Sequence, residues 1–311
     1  MQNTSTKRYI ETASTDWRNP ATRTIPTNNC APGSLIKKPD PALPPKFDVA
    51  SVQVSATNYD ELVQLLIRCA EEKQSIIVDF TCADVIVRAR ENPFFRKILS
   101  QFDILCPDGQ PVRWLMNSVH HLKLVDRVCG TTAMLRLCAA AAETGIGIYL
   151  YGSTNATLRE LQKQLLGLYP TLQIVGLEAP PFRPLSEVED RAVVERVNSS
   201  AAGLLFIGLG AGKQEQFAWE HRHRINAVQL CVGAAFDFVA GTRPRAPLVM
   251  QRSGLEWLFR LCCEPRRLAR RYIIGNVRFA LAALRQICTR QSQAQPDESG
   301  HHEAQESLSG N

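Results

Sequence analysis

Several patterns that would classify this chain at once are missing from it. The ten cysteines include no Cys-x-x-Cys pair, and His120, His121, His221 and His223 do not complete a metal-ligand spacing with them. No strand ends in a GxGxxG turn with an acidic residue some twenty positions later, and none ends in Asp-x-Asp. These absences disfavour a structural zinc site, a dinucleotide fingerprint and a metal-bridged Asp-x-Asp site.

Targeting and membrane-spanning patterns are also missing. The N-terminus lacks the charged-then-apolar pattern of a signal peptide, and no run of about 18 uncharged apolar residues occurs. Most cysteines lie within apolar runs, where a free thiol behaves as a small hydrophobe, so a reducing cytosol is the expected compartment. The net charge of +6 is modest, so any argument about partners depends on where the charges lie.

Positive charge is concentrated near the C-terminus. Between Arg243 and Arg290 there are eleven arginines and no lysine, and the only acidic residues are Glu256 and Glu264. Leucine, tryptophan, phenylalanine and isoleucine lie between the arginines at helical spacing. This pattern is typical of a helix that meets anionic headgroups or phosphate, and it predicts a basic amphipathic, membrane-associating helical appendage over residues 242–290.

Upstream, predicted strands alternate with predicted helices. The strands are the runs SIIVDFT, FDILC, GIGIYLYG, LQIVG, AGLLFIGLG and AVQLCVG. Such alternation predicts right-handed βαβ units, and therefore an α/β, Rossmann-like, mainly parallel sheet with helices on both faces over residues 46–241. Polar, aperiodic residues 1–45 and 291–311 are expected to be a disordered leader and tail.

Ligands of such sheets bind beyond the carboxyl ends of the strands, which makes the residues there candidates. Asp108, in the turn Pro107-Asp108-Gly109, is placed to act as a general base, but the same sequence suits a simple turn cap. The run GLGAGKQE suggests backbone amides facing a phosphate, although it is neither a Walker A loop nor GxGxxG. The residue pattern alone leaves open whether Asp108 is a base or a turn cap. It also leaves open whether GLGAGKQE binds a phosphate.

Five blocks, in order, resemble the signatures of one enzyme family, the WecG/TagA/CpsF glycosyltransferases. They are PDGQPVRW, RVCGTTAM, IGLGAGKQE, VGAAFDFVAGTRPRAP and GLEWLFRLCCEPRRLARRY. The resemblance spans about residues 50–285. It implies an inverting enzyme that moves a sugar from a UDP-sugar to a polyprenyl-diphosphate-linked saccharide at the inner face of the cytoplasmic membrane, for bacterial cell-surface or exopolysaccharide synthesis of the teichoic-acid, enterobacterial-common-antigen or xanthan kind.

The resemblance also implies roles for particular residues. Asp108 is the expected catalytic base. The expected lipid-diphosphate ligands are Arg260, Arg267 and Arg270, and the expected donor-site residues are Thr81, Arg127, Gly210, Lys213, Gln214 and Asp237. The chain departs from the family pattern at Cys82, Thr132 and Gly212, so the donor sugar cannot be carried over from better-known members.

These assignments define the expected partners. They are a UDP-sugar, a polyprenyl-diphosphate-linked acceptor and an anionic membrane surface; no cofactor, required metal or nucleic acid is expected, and a homo-oligomer is allowed. The expected location is cytoplasmic and peripheral to the membrane. Three alternatives remain: a Rossmann-type nucleotide-binding oxidoreductase, a non-catalytic adaptor that binds a membrane or nucleic acid through its basic tail, and a family member whose site has decayed, since Cys82 and Thr132 are unusual.

Overall fold

The computed structural model describes residues 42–294, apart from the side chains of Arg267, Arg271 and residues 290–294. A parallel sheet of six strands, in the order β4-β3-β8-β7-β5-β6, forms its centre, and β1 and β2 form a separate antiparallel hairpin. The strands are β1 Lys46–Val49, β2 Val52–Ser55, β3 Ile77–Thr81, β4 Ile104–Pro107, β5 Ile148–Gly152, β6 Ile174–Glu178, β7 Leu204–Gly208 and β8 Val228–Cys231. The predicted α/β, Rossmann-like sheet is confirmed.

Helices follow most strands and cover both faces of the sheet. They are α1 Tyr59–Glu71, α2 Ala83–Glu91, α3 Pro93–Ser100, α4 Gln110–His120, α5 Gly130–Thr144, α6 Asn155–Leu168, α7 Glu187–Ser199, α8 Lys213–His221, α9 Ala235–Val239, α10 Leu248–Arg252, α11 Glu256–Cys263 and α12 Pro265–Ala294. Local signals explain their starts: Asn58 accepts the amides of Asp60 and Glu61, and Pro93 separates α2 from α3.

Buried apolar side chains on the two faces of the sheet form two cores. Leu204 and Phe206 of β7 point into the core that α1, α5 and α6 cover, while Leu205 and Ile207 point into the core beneath α2, α3 and α4. Strands buried on both faces read as continuous apolar runs, which is why these strands were predictable from the sequence.

The β1–β2 hairpin was not predicted. Ala50 and Ser51 form its turn with φ angles of 50° and 74°, the left-handed conformation that two-residue hairpin turns require. Glycine or asparagine usually marks such a turn, and this chain has neither there. No turn signal therefore separates these two short strands in the sequence.

The predicted appendage is helical, but it is not a separate packing unit. Its last helix, α12, lies against α2, and its Phe279 and Ala282 are buried in the core beneath α2–α4. Gln286 of the same helix hydrogen-bonds the hairpin, donating to the Asp48 carbonyl and accepting the Ala50 amide, each at 2.8 Å. Residues beyond about 241 thus share a core with the sheet.

The outward side of α12 carries a row of apolar residues, here called the exposed stripe: Ile273, Val277, Leu281 and Leu284, each more than half exposed. The predicted tail from residue 291 begins inside α12, which runs to Ala294; residues 295–311 and the predicted leader up to residue 41 lie outside the described residues. Within residues 42–294, no helix is both long enough and apolar enough to cross a bilayer.

Candidate active site

A cavity of about 620 Å³ opens at the carboxyl ends of the central strands. We call it the catalytic cavity. Residues that follow β3, β4, β5, β7 and β8 line it, among them Cys82, Asp108, Ser153, Gly210 and Gly233. This is the edge where parallel sheets bind ligands, because the strand ends and the turns after them converge there.

Glycines allow the strand ends to come together at this edge. A Cβ on Gly152 would lie 2.6 Å from the backbone of Gly208, and one on Gly208 would lie 2.6 Å from the Phe236 ring. Both distances are shorter than real Cβ contacts, so any side chain here would force β5, β7 and α9 apart. The two glycines therefore allow β5, β7 and α9 to pack closely beside the catalytic cavity.

Asp108 follows β4 directly and faces the cavity. Its amide donates to the Thr81 carbonyl at 3.1 Å, and Gly109, whose φ of 90° suits glycine, then turns the chain into α4. The carboxyl is about 26% exposed. Burial raises its pKa to about 6, and Arg127 opposes that rise. A carboxylate that loses its proton near pH 6 suits a general base at neutral pH.

Arg127 is held beside Asp108 by the loop between α4 and α5. The Val128 amide donates to the Pro107 carbonyl at 2.9 Å, which ties this loop to the end of β4. The Arg127 guanidinium forms a short ion pair with Glu256, and its Nη1 lies 3.7 Å from Asp108 Oδ1. Burial works against ionisation of Glu256, but Arg127, with Arg245 and Arg260, outweighs it, so the pKa of Glu256 is lowered.

The segment after β8 turns back over the strand ends and completes the cavity. It contributes the charged side chains Asp237, Arg243, Arg245, Glu256 and Arg260. Arg243 Nε lies 3.3 Å from Asp237 Oδ2, and the Arg260 guanidinium stacks over the Phe238 ring at 5.2 Å. Three of these residues, Arg243, Arg245 and Glu256, were not predicted as site residues, although their Arg-Pro-Arg-Ala-Pro and Gly-Leu-Glu-Trp blocks were recognised.

Arg245 reaches across the cavity to the start of α5. Its Nη2 donates to Thr132 Oγ1 at 3.4 Å and to Gln251 Oε1 at 3.2 Å. Thr132, one of the positions where the chain departs from the family pattern, therefore contacts an arginine of the C-terminal segment. Its hydroxyl helps to hold that segment over the strand ends.

A buried polar layer lies beneath the cavity. Gln214 lines the cavity and donates to the Cys231 carbonyl at 3.2 Å, and Glu215 accepts the Gly212 amide at 2.5 Å. Thr81 donates to Asp79 Oδ2 at 2.8 Å. Because Asp79 and Glu215 are fully buried, the pKa of each carboxyl is raised.

The structure brings some predicted ligands together and leaves others apart. Asp108, Gly210, Gln214, Asp237 and Arg260 line the catalytic cavity. Arg127 lies behind it, in contact with Glu256. The remaining predicted residues are elsewhere: Thr81 is buried against Asp79, Lys213 is exposed on a neighbouring cavity, Arg270 is exposed on α12, and the Arg267 side chain lies outside the described residues.

The model of the family described as "Glycosyl transferase WecG/TagA/CpsF family" matches residues 47–293, nearly all of the described chain. The chain belongs to this family. This glycosyltransferase therefore uses a sugar-nucleotide donor and a sugar acceptor, and the match favours a transferase over the alternative of a nucleotide-binding oxidoreductase.

The charged groups that act on Asp108 include three arginines and one carboxylate. Arg127, Arg245 and Arg260 all lower the pKa of Asp108, while Glu256 raises it. Among residues 42–294, no three side chains of His, Cys, Asp or Glu cluster closely enough to hold a metal ion. Independence from metal stays a prediction.

Proposed function

We propose that the protein transfers a sugar from a UDP-sugar to a polyprenyl-diphosphate-linked saccharide, with inversion, at the inner face of the cytoplasmic membrane. Asp108 is the general base of this reaction. The observation that carries the proposal is the position of Asp108: a partly buried carboxylate at a strand end, inside a cavity that Arg243, Arg245 and Arg260 also line.

Inversion in one displacement needs a base on the acceptor side of the anomeric carbon. Asp108 takes the proton of the acceptor hydroxyl while that oxygen forms its bond to the anomeric carbon. The bond from the anomeric carbon to the donor phosphate breaks, and UDP leaves with the electron pair. A well-placed base of this kind contributes on the order of 10²–10⁴-fold to the rate.

The departing diphosphate gains negative charge and needs cations or amides to receive it. Arg243 and Arg260 line the cavity, and so do Gly210 and Ala211 in the turn before α8. Guanidinium groups bind diphosphate oxygens in pairs, and helix N-termini favour anions. These groups support donor binding by Gly210, Gln214 and Asp237, whereas Lys213 and Thr81 contribute less because they do not line the cavity.

The pH dependence of transfer tests the base. Because only ionised Asp108 can accept the proton, log kcat/KM should fall with unit slope as the pH drops below about 6, the pKa of its carboxyl. The measurement is the initial rate from pH 4.5 to 8, with stability checked at each pH. A rate that stays level down to pH 4.5 would contradict the assignment of Asp108 as base.

Membrane association is proposed through the exposed stripe of α12. Val277 and Leu281 are 56% and 53% exposed, so the rest of the described chain leaves about half of each residue uncovered. Arg270, Arg278 and Arg285 are exposed on the same helix. Apolar side chains between arginines suit the boundary between headgroups and acyl chains.

Replacing Val277 and Leu281 together by glutamate should weaken binding to anionic phospholipid vesicles by at least about tenfold, since two apolar contacts are lost and two negative charges are added. Co-sedimentation measures the binding. Transfer to a short-chain, detergent-soluble acceptor should stay within about twofold, because both side chains point away from the core. Val188→Glu, at a 69% exposed position on α7, is the matched control and should bind vesicles normally.

A further inference from the structure

A second cavity, of about 710 Å³, lies beside the catalytic cavity. We call it the lateral cavity. The start of α1, the loop between α4 and α5, the first turns of α5, and α10 surround it. Arg127 lines it and is also the residue whose guanidinium lies 3.7 Å from Asp108, while Cys129 lines both cavities. The lateral cavity is therefore separated from the proposed base by a single side-chain layer.

The charges of the lateral cavity favour an anion. Lys123 and Arg252 are exposed on its rim, and neither forms an ion pair with another described residue. Arg136 is fixed on its inner side, with Nη1 2.7 Å from Asp60 Oδ1 and its guanidinium 4.7 Å from the centre of the Tyr59 ring. Two unpaired cations on a concave surface are suited to a diphosphate group.

Gln110 adds an unsatisfied acceptor close to the base. It is only 4% exposed, lines the lateral cavity and lies two residues beyond Asp108. Its Nε2 donates to Asp126 Oδ1 at 3.2 Å, while its Oε1 accepts no hydrogen bond from any described residue. A buried acceptor without a donor is costly, and a sugar hydroxyl in the cavity would satisfy it.

The rim of the lateral cavity is apolar as well as cationic. Val125 is 92% exposed and Leu248 is 43% exposed, and both line the cavity. A saccharide joined through a diphosphate to a hydrocarbon chain presents these chemistries in the same order: hydroxyls, then negative charge, then apolar surface. The lateral cavity has a group complementary to each of these chemistries: Gln110 is buried, and cationic and apolar residues lie on the rim.

We infer that the lateral cavity binds the acceptor, with its sugar hydroxyls toward Gln110 and its diphosphate between Lys123 and Arg252. This inference rests on the proposed function and deepens it, because it gives donor and acceptor separate cavities on the two sides of Arg127. Transfer then requires the Arg127 side chain, which lies between the two cavities, to admit the attacking hydroxyl to Asp108. The lipid diphosphate is thereby assigned to residues other than the expected Arg260, which lines the catalytic cavity.

The test compares two double variants that lose the same charge. Lys123→Ala/Arg252→Ala removes the rim cations, and Arg96→Ala/Lys97→Ala removes two exposed cations of α3 that line neither cavity. The probe is a short-chain prenyl-diphosphate monosaccharide in detergent, so that bilayer binding does not contribute. The rim variant should raise KM for this acceptor by about tenfold or more, as the loss of charge-assisted contacts implies, and leave KM for the UDP-sugar unchanged.

An unchanged acceptor KM, an equal rise in the α3 variant, or a rise in the UDP-sugar KM instead would overturn the inference. Calorimetric titration with the same acceptor, in the presence of UDP, measures acceptor binding without turnover. It should show binding to the unaltered chain and the α3 variant and about tenfold weaker binding to the rim variant. If the unaltered chain binds the acceptor but transfers no sugar from any UDP-sugar, the proposed donor is wrong. The inference that the lateral cavity binds the acceptor would still be supported. If neither the unaltered chain nor either variant binds the acceptor, the inference fails.

Discussion

Asp108→Asn should lower kcat for sugar transfer by about 10²–10⁴-fold, because the amide cannot accept the proton of the acceptor hydroxyl. Its dissociation constant for UDP should stay within about threefold, since the amide keeps the size of the carboxyl and the arginines that line the catalytic cavity remain. Single-turnover rates with purified donor and acceptor measure the first effect, and calorimetry measures the second.

Glu195→Gln is the control for this variant. It makes the same change from carboxylate to amide at an exposed position on α7 that does not line the catalytic cavity, so transfer should proceed at the normal rate. Asp108 is the only group to which we assign the loss of activity at low pH (the acid limb of the rate profile). The residual rate of Asp108→Asn should therefore not decrease as the pH drops below 6. Near-normal turnover by Asp108→Asn would show that another group is the base.

Arg127→Met should have the second largest effect, on both stability and rate. The substitution leaves Glu256 and Asp108 without their shared cation, and removing one partner of a buried ion pair typically costs about 3–5 kcal/mol of unfolding free energy. Arg127 also lowers the pKa of Asp108, so the acid limb of the rate profile should move to higher pH.

Denaturant unfolding and the pH profile of kcat/KM measure these effects. Glu256→Gln is the matched partner: combined with Arg127→Met it removes one of the two carboxylates that lose the Arg127 charge, so the double variant should be more stable than Arg127→Met alone. The two substitutions should therefore be non-additive, as expected for residues in contact. Additive losses would mean that the contact between Arg127 and Glu256 contributes nothing to folding.

Some of the site could be predicted because its position follows from strand periodicity. Asp108 and Gly210 come directly after apolar runs, and every parallel strand of one sheet ends at the same edge. Thr81 shows where that reasoning stops. It too ends a strand, but a strand buried on both faces gives no pattern from which the direction of its last side chain can be read.

Glu256 could not be predicted as a site residue for a different reason. In the sequence it is one of two acids among eleven arginines, which predicts only that it pairs with a nearby arginine on its own helix. Its actual partner, Arg127, is 129 residues earlier. To predict that pair, one would need to know that the segment after β8 turns back across the strand ends. The local spacing of apolar residues does not contain that information.

The contact between α12 and the hairpin constrains the order in which the chain can mature during synthesis. The Ala50 amide finds its acceptor on Gln286, 236 residues later, so the hairpin stays incompletely bonded while most of the chain is being made. Glu256 and the arginines of the C-terminal segment likewise join the cavity late. The ribosome therefore synthesises all six strands of the sheet before the segment that completes the catalytic cavity. A chain that terminated before this segment would have a sheet whose catalytic cavity is incomplete.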